Sequence, residues 1–309
     1  MEKYIIIGHK NPDTDSIVSA IVAQDYFKEV LDKDAKAYRA GELNNESRFV
    51  LDKYDIKAPE LVSEANKNDR IALVDHNETT QTFDKLNFSQ VEYIFDHHKL
   101  SLSTEKPIYL RNEPLGSTSS LLAKMFKENR RDVSEKNAKL LLAGILSDTL
   151  NFTSPTTTDE DKRIVSELND IAKVDIKRFV GEMFEAKSSL EGISTSDIIN
   201  LDYKIFNIGK YKVGVGTWET TSPATVNVKK NEIFNLLKKK KETEHLDYLY
   251  FMIVDILRQN CDLYIISEDE KMLAEKVFGG KTENGVMFLD GVVSRKKQIA
   301  PPLTEALTK

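Results

Sequence analysis

Three short, mainly apolar runs in this 309-residue chain each end on a histidine or an aspartate–histidine motif. That repeated ending restricts the fold more than any other feature. Tyr4 to Ile7 leads through Gly8 into His9-Lys10-Asn11-Pro12-Asp13-Thr14-Asp15-Ser16, Ile71 to Val74 runs into Asp75-His76-Asn77, and Val91 to Phe95 runs into Asp96-His97-His98. Short apolar runs bounded by polar residues read as buried strands. Helix-like periodicity follows at Ile17 to Phe27, Thr118 to Phe126 and Ser134 to Leu146. Strands alternating with helices predict an α/β fold with an N-terminal, mostly parallel sheet and helices on both faces. In such sheets polar loops gather outside the carboxyl ends of the strands, so the three motifs are expected to converge there.

The chain is longer than one ordinary domain. Thr157 to Glu160 fits a capping box opening a helix to about Ala172, and a further helical segment runs from Ile176 to Phe184. Ser188 to Ser196, rich in Ser and Thr and containing Gly192, reads as the linker, which divides the chain into 1–188 and 189–309. Beyond it, Tyr203 to Ile208 and Tyr211 to Thr217 predict a hairpin, followed by a lysine-rich helix from near Lys229. Asp247 to Leu257 and Leu263 to Ser267 read as strands, and Asn284-Gly285 as a tight turn before Val286 to Leu289. This predicts a smaller C-terminal mixed α/β domain.

A net charge of −6 argues against a general nucleic-acid binder, which would need a basic face, so any phosphate site must be local. The run Lys238 to Lys241 reads either as a solvated helix C-terminus favoured by the helix dipole or as a binding patch. A single cysteine, Cys261, precludes an internal disulfide, and no stretch resembles a signal peptide or a membrane span. A cytoplasmic location, with no membrane partner, is expected.

Four of the five histidines, His9, His76, His97 and His98, fall in the three motifs, and Asp148 in Ser147-Asp148-Thr149 adds a carboxylate at a predicted helix end. Imidazoles with several carboxylates and no thiolate suit hard or borderline divalent ions such as Mn²⁺, Co²⁺ or Mg²⁺, and disfavour structural zinc. Pro12 keeps Asn11 extended and the loop open, so Asp13 and Asp15 can point the same way, while Ser16 or Asp15 caps the helix that follows. Each motif alone also has a plain reading, as a capped turn or a hydrogen-bonded polar cluster. Their combination points to a metal site.

These residues resemble the DHH phosphoesterase superfamily, whose triplet is matched by Asp96-His97-His98, and within it the family II, manganese-dependent inorganic pyrophosphatases. Gly8 to Ser16, Val74-Asp75-His76, Asp96 to Lys99, Gly116-Ser117-Thr118, Ser147-Asp148-Thr149 and Ser154 to Asp159 are similar to that family's N-terminal domain. Asp202-Tyr203-Lys204 and Ser294 to Gln298 are similar to its substrate-binding segments. The likeness spans nearly the whole chain. It departs at Gly216-Thr217-Trp218-Glu219, where relatives often carry Gly-Gln-Val followed by Glu or Asn. Trp218 there reads as strand packing or as a substrate contact.

The resemblance implies a DHH-type metal-binding catalytic domain at 1–188 and a DHHA2-type substrate-binding domain at 189–309. It implies that His9 and Asp13 hold one Mn²⁺, that Asp15, His97 and Asp148 hold a second, and that Asp75 bridges them. Co²⁺ is a possible substitute, and Mg²⁺ is expected to accompany substrate. His98, Lys204, Arg295 and Lys296 would contact pyrophosphate, which a hydroxide shared by ions about 3.5–4 Å apart would split into two orthophosphates in an interdomain cleft. Asp96 and His76 would orient ligands through hydrogen bonds or serve ordinary structural bonding. The C-terminal domain is expected to close over substrate, and a homodimer through a strand edge of the first domain is implied. Apart from the resemblance, Arg295 to Lys297 reads as a solvated basic turn before Pro301-Pro302. Related exonucleases carry a glycine-rich segment ending in histidine. Here Gly279-Gly280 is followed by Lys281 and no histidine lies beyond His245, which speaks against a nucleic-acid substrate. A polyphosphate-shortening enzyme and a non-catalytic binding module are the remaining alternatives.

Overall fold

The computed structural model describes residues 3–308 apart from 63, 67 and 85, and the chain divides into two compact units, Met1–Ala186 and Lys187–Lys309. In the first unit the order is β1 (Tyr4–Ile7), α1 (Thr14–Glu29), β2 (Ala35–Arg39), α2 (Asn45–Lys53), β3 (Glu60–Leu61), β4 (Arg70–Val74), β5 (Val91–Asp96) and β6 (Tyr109–Asn112). Helices α3 (Thr118–Glu128), α4 (Glu135–Asp148), α5 (Asp159–Ala172) and α6 (Ile176–Lys187) follow. The sheet runs β3-β2-β1-β4-β5-β6 with every pairing parallel, flanked by helices, as the alternation of elements predicts.

β1 is buried along its whole length, as expected of a strand paired on both edges and covered on both faces. Alternate residues serve opposite sides. Ile5 and Ile7 join Ile71, Leu73, Val62 and Phe83 in one cluster, while Tyr4 packs its ring 5.1 Å from that of Phe27 on α1. Strand order then makes the decisive feature. The chain builds β2 and β3 on one side of β1 and returns to place β4 on the other, so the connections leaving β1 and β4 diverge and leave a crevice at their carboxyl ends.

Several local expectations are corrected. Asp13, neither Asp15 nor Ser16, caps α1: its extended backbone lets Oδ1 accept from Ser16 N at 2.9 Å, which starts the helix at Thr14. The capping box of α5 lies one residue later than Thr157 to Glu160, on Thr158 and Asp161, because Asp161 also accepts from Gly116 N at 2.9 Å and from Ser120 Oγ at 2.5 Å. Helix α6 continues to Lys187, and much of the expected linker is structured: Ser188 is buried against Thr220 and Thr221, and Ser194 caps the next helix.

The second unit contains α7 (Thr195–Asn200), β7 (Tyr203–Ile208), β8 (Tyr211–Thr220), α8 (Pro223–Asn227), α9 (Lys230–Thr243), β9 (Tyr248–Asp255) and β10 (Asn260–Ile265). It ends with α10 (Glu268–Phe278), β11 (Thr282–Glu283), β12 (Val286–Asp290), a wide helical turn at Arg295–Ile299, and α11 (Ala300–Thr308). Its sheet, β11-β12-β10-β9-β8-β7, is antiparallel except for the β8–β9 pair, hence mixed. Alternation along β9 sends Phe251 and Ile253 toward Ile233 and Leu237 of α9, and Met252 and Val254 toward Ala274 of α10 and Leu303 of α11. Trp218 packs against the first of these clusters, as its strand reading predicts. Asn284 and Gly285 both take positive φ, 49° and 75°, forming the two-residue hairpin between β11 and β12.

Candidate metal centre

The polar motifs leave the carboxyl ends of three adjacent strands. After β1 the chain must pass very close to α1: a Cβ on Gly8 would lie 1.9 Å from Ser16 Oγ, the atom that accepts from His9 N at 3.1 Å. Only glycine permits that approach, and it fixes where His9 emerges. After β4, Asp75 adopts φ 62°, a left-handed conformation tolerated by aspartate better than by most residues, and its N–H bonds Phe95 O at 2.9 Å. After β5, the buried Asp96 accepts through Oδ1 from His97 N at 2.8 Å and from His98 N at 3.1 Å, folding the triplet back over the strand end.

His9, Asp13, Asp15, Asp75, His97 and Asp148 come together there. Candidate ligand atoms of His9, Asp13 and Asp75 lie within 4.8 Å of one another, as do those of Asp15, Asp75, His97 and Asp148, and those of Asp75, His97 and His98. The two oxygens of Asp75 face different partners. Oδ2 is 3.5 Å from His9 Nε2, which is 3.7 Å from Asp13 Oδ1. Oδ1 is 3.4 Å from His97 Nε2, which is 3.4 Å from Asp148 Oδ2. These separations exceed ordinary hydrogen bonds but suit ligands arranged around a cation at about 2.1 Å.

Hydrogen bonding fixes how the imidazoles present themselves. His97 Nδ1 donates to Leu115 O at 2.9 Å, so in the neutral ring the Nε2 lone pair faces Asp75 and Asp148. Among the described residues, both that Nε2 and Asp75 Oδ2 are buried without a hydrogen-bond partner. A lone pair aimed at carboxylate oxygens is repulsive unless a proton or metal cation lies between them. His98 donates from Nδ1 to Asp96 Oδ1 at 2.9 Å and is half exposed, while His76 donates from Nδ1 to Val74 O at 2.9 Å and is buried.

The crowding of negative charge is visible in the proton affinities. Burial, helped by Asp75 and Asp148, raises Asp15 well above the usual carboxylate range; burial likewise pushes Asp148 up to about 7. Burial opposes a charged His97, yet Asp148 and Asp75 hold it up to about 12, and His9 is raised to about 10 against the same penalty by Asp13 and Asp75. Burial would raise Asp75 too, but His9 and His97 keep it below its ordinary value. Such a cluster gathers protons for want of positive charge. Divalent cations with nitrogen and oxygen ligands fit the donor set.

Sequence reasoning identified the ligand candidates but not what holds them. Asp15, in the first turn of α1, is wholly buried against the start of α3, accepting through Oδ2 from Thr118 N at 2.7 Å and through Oδ1 from Ser119 N at 3.0 Å. Thr118 Oγ1 donates to Asp75 Oδ1 at 3.0 Å. Asn77 donates to Asp96 Oδ2 at 2.6 Å and to Lys99 O at 2.9 Å, tying the β4 loop to the β5 loop. Gly116-Ser117-Thr118 and Asp75-His76-Asn77 were visible as motifs, but nothing local revealed these partners. A cavity of about 380 Å³ beside the centre is lined by His9, Asn11, Asp75, His76, His98 and Lys99, among others.

The remaining site candidates belong to the second unit. Arg295 is buried, with Nη2 2.7 Å from Asp202 Oδ1 and Nη1 donating to Asp202 O at 2.7 Å and to Val215 O at 3.2 Å. It is therefore no solvated turn, and Pro301 and Pro302 lie in the first turn of α11, where their rings are tolerated. Thr217 N also donates to Asp202 O, at 2.8 Å. Three segments thus meet: Asp202 to Lys204, Gly216-Thr217, and Ser294 to Lys297. Lys204 and Lys296 are exposed and carry no carboxylate partner among the described residues.

Known proteins resemble this chain along nearly its whole length. Residues 3–145 match the DHH family, N-terminal domain, and residues 181–306 match the DHHA2 domain. A manganese-dependent inorganic pyrophosphatase of Methanocaldococcus jannaschii is 40% identical over 97% of this chain and 98% of its own length. One from Methanothrix thermoacetophila is 39% identical over 98% of each. A Methanococcus jannaschii crystal structure assigned to family II inorganic pyrophosphatases superposes with a TM-score of 0.62 at 38% identity, covering 99% of this chain and 100% of that one. With a parallel DHH-type sheet carrying the histidine–aspartate cluster and a mixed DHHA2-type sheet behind it in sequence, the chain belongs to the family II, manganese-dependent inorganic pyrophosphatases.

Proposed function

We propose that this chain hydrolyses inorganic pyrophosphate to two orthophosphates, with Mn²⁺ as the native pair of cations, Co²⁺ able to replace it and Mg²⁺ accompanying substrate. The observation that carries the reading is the division of Asp75, one oxygen toward His9 and Asp13 and the other toward His97 and Asp148, with Asp15 beside the latter group. Two divalent cations held there would supply Lewis acidity and a shared water acidified to hydroxide near neutral pH.

The side chains do the rest. Asp75, steadied by Thr118, sets the spacing of the two ligand groups. His98, whose proton affinity is raised chiefly by Asp96, would act as the imidazolium, with Nδ1 held by Asp96 and Nε2–H donating a hydrogen bond or proton to the leaving phosphate. Lys204, Arg295 and Lys296 supply positive charge to pyrophosphate as residues 189–309 close on the metal-binding residues 1–188, with Arg295 exchanging part of its hold on Asp202 for phosphate oxygens. The relatives named for pyrophosphate support this substrate, and the net charge of −6 supports the absence of nucleic-acid partners.

Phosphate release from pyrophosphate, tripolyphosphate and a short oligonucleotide tests the proposal, each assayed with chelator and after Mn²⁺ is restored. Pyrophosphate alone should be consumed rapidly, with chelation lowering the rate at least about 100-fold and Mn²⁺ restoring it. Cleavage of the oligonucleotide at a comparable rate, or no phosphate release at all, would overturn it.

We further propose a homodimer through the β6 edge, where Tyr109 and Leu110 are exposed beside unpaired backbone groups. Leu110→Lys places a charge on that edge and should shift the sedimentation coefficient from dimer to monomer; an unchanged dimer rejects this edge. Cys261 is a buried free cysteine, and no described helix is long and apolar enough to cross a membrane.

A further inference from the structure

We infer that Glu46 is a positioning residue whose carboxylate ties the start of α1 to the end of α4, thereby setting the separation of Asp13 and Asp15 from Asp148. The inference rests on the metal-centre reading above.

Glu46 lies in the first turn of α2, whose cap, Asn44, accepts from Ser47 N at 2.7 Å. A carboxylate near a helix start is favoured by the dipole and is ordinarily solvated. Glu46 is instead completely buried. Its Oε2 accepts from Thr14 Oγ1 at 3.0 Å and from Ser147 Oγ at 2.9 Å. Thr14 has one hydroxyl hydrogen, which it gives to Glu46, so Ser47 Oγ, 3.3 Å away, donates to Thr14 in turn. Thr14 stands between Asp13 and Asp15, and Ser147 immediately precedes Asp148. One carboxylate oxygen therefore holds both helix ends from which three of the metal-site carboxylates project.

Stability gives no ready reason for this arrangement, because buried ionic networks are often replaceable by apolar packing without loss. Position does. The apolar faces of α1 and α4 fix how closely the helices approach but leave sliding along their axes comparatively soft. Directional hydrogen bonds at the two ends fix that register, and a ligand set is sensitive to displacements well below 1 Å.

The test is calorimetric titration of metal-stripped, full-length protein with Mn²⁺, with circular dichroism and melting measured on the same samples. Glu46→Ala should weaken Mn²⁺ binding by about 10- to 100-fold while the fold is retained, with much of the rate recovered at saturating Mn²⁺. Glu46→Gln keeps an oxygen that accepts from both hydroxyls and should stay within about threefold of native. Should Glu46→Ala not fold, Ser147→Ala removes the α4 end of the tie and should weaken binding by about three- to tenfold. Native Mn²⁺ affinity in folded Glu46→Ala, or in Ser147→Ala where that is the variant measured, overturns the inference, even if the melting temperature falls. Native protein that takes up no Mn²⁺ would instead sink the metal-centre reading itself, so the two failures are distinct.

Discussion

Asp75→Asn should lose the paired-cation stoichiometry and release phosphate at about one-thousandth of the native rate or less. The substitution keeps the shape and tolerates the left-handed backbone, but it replaces one of two oxygens that face separate histidine–carboxylate groups with an amide nitrogen. An amide neither bridges cations nor neutralises their charge. The metal-free variant should still fold but melt somewhat lower than native, because His9 and His97 favour the Asp75 charge and lose their buried partner when it is removed. The contrast appears on adding Mn²⁺. Native protein gains about 2.7 kcal/mol at a hundredfold excess over Kd, read as a melting temperature several degrees higher, and Asp75→Asn should gain little of this. Metal titration, melting with and without Mn²⁺, and phosphate release together check the prediction. A variant that keeps two ions and a rate within tenfold of native would remove Asp75 from the bridging role.

Gly144→Ala is expected to damage the centre from the interior of a helix. In an isolated α4 the change would be favourable by about 1 kcal/mol, since alanine is the better helix former. Here the new Cβ would fall 2.1 Å from Ser119 Oγ, 2.5 Å from Asp15 Oδ1 and 2.9 Å from Ser119 Cβ. The Ser119 hydroxyl could rotate, but its Cβ belongs to the turn whose N–H holds Asp15 at 3.0 Å, so relief must come from shifting α3 or Asp15 itself. Overpacking of this kind costs about 1–3 kcal/mol and outweighs the propensity gain. We expect a lower melting temperature and Mn²⁺ affinity reduced about tenfold or more. A variant that melts higher than native and binds Mn²⁺ normally would show that α4 does not confine Asp15.

How much of this was legible depends on the range of the interaction. The strand endings at His9, Asp75 and Asp96 to His98 were readable because a burial pattern and its interruption are local, and the helix around Ser134 and Asp148 for the same reason. Asp13 was not recognised as the α1 cap, because Asp13, Asp15 and Ser16 are all competent caps and only the backbone angles select one. Asp161 drew the α5 capping box one residue onward through contacts with Gly116 and Ser120, more than forty positions away along the chain. Arg295 looked like part of a solvated basic turn because no neighbour in sequence announces Asp202 as its partner.

By itself the sequence determined which residues stand at strand and helix ends, and hence the chemical character of the site: imidazole and carboxylate, without thiolate. Tertiary structure decided that these residues meet. Placing β4 beside β1 opens the crevice, and packing α1 against α3 and α4 turns Asp15 from a helix-start residue into a buried acceptor. The physical reason is that strand alternation and helix capping are set by neighbours a few residues apart. Strand order and the burial of a charge are set by which distant surfaces close on each other, and no local pattern encodes that choice.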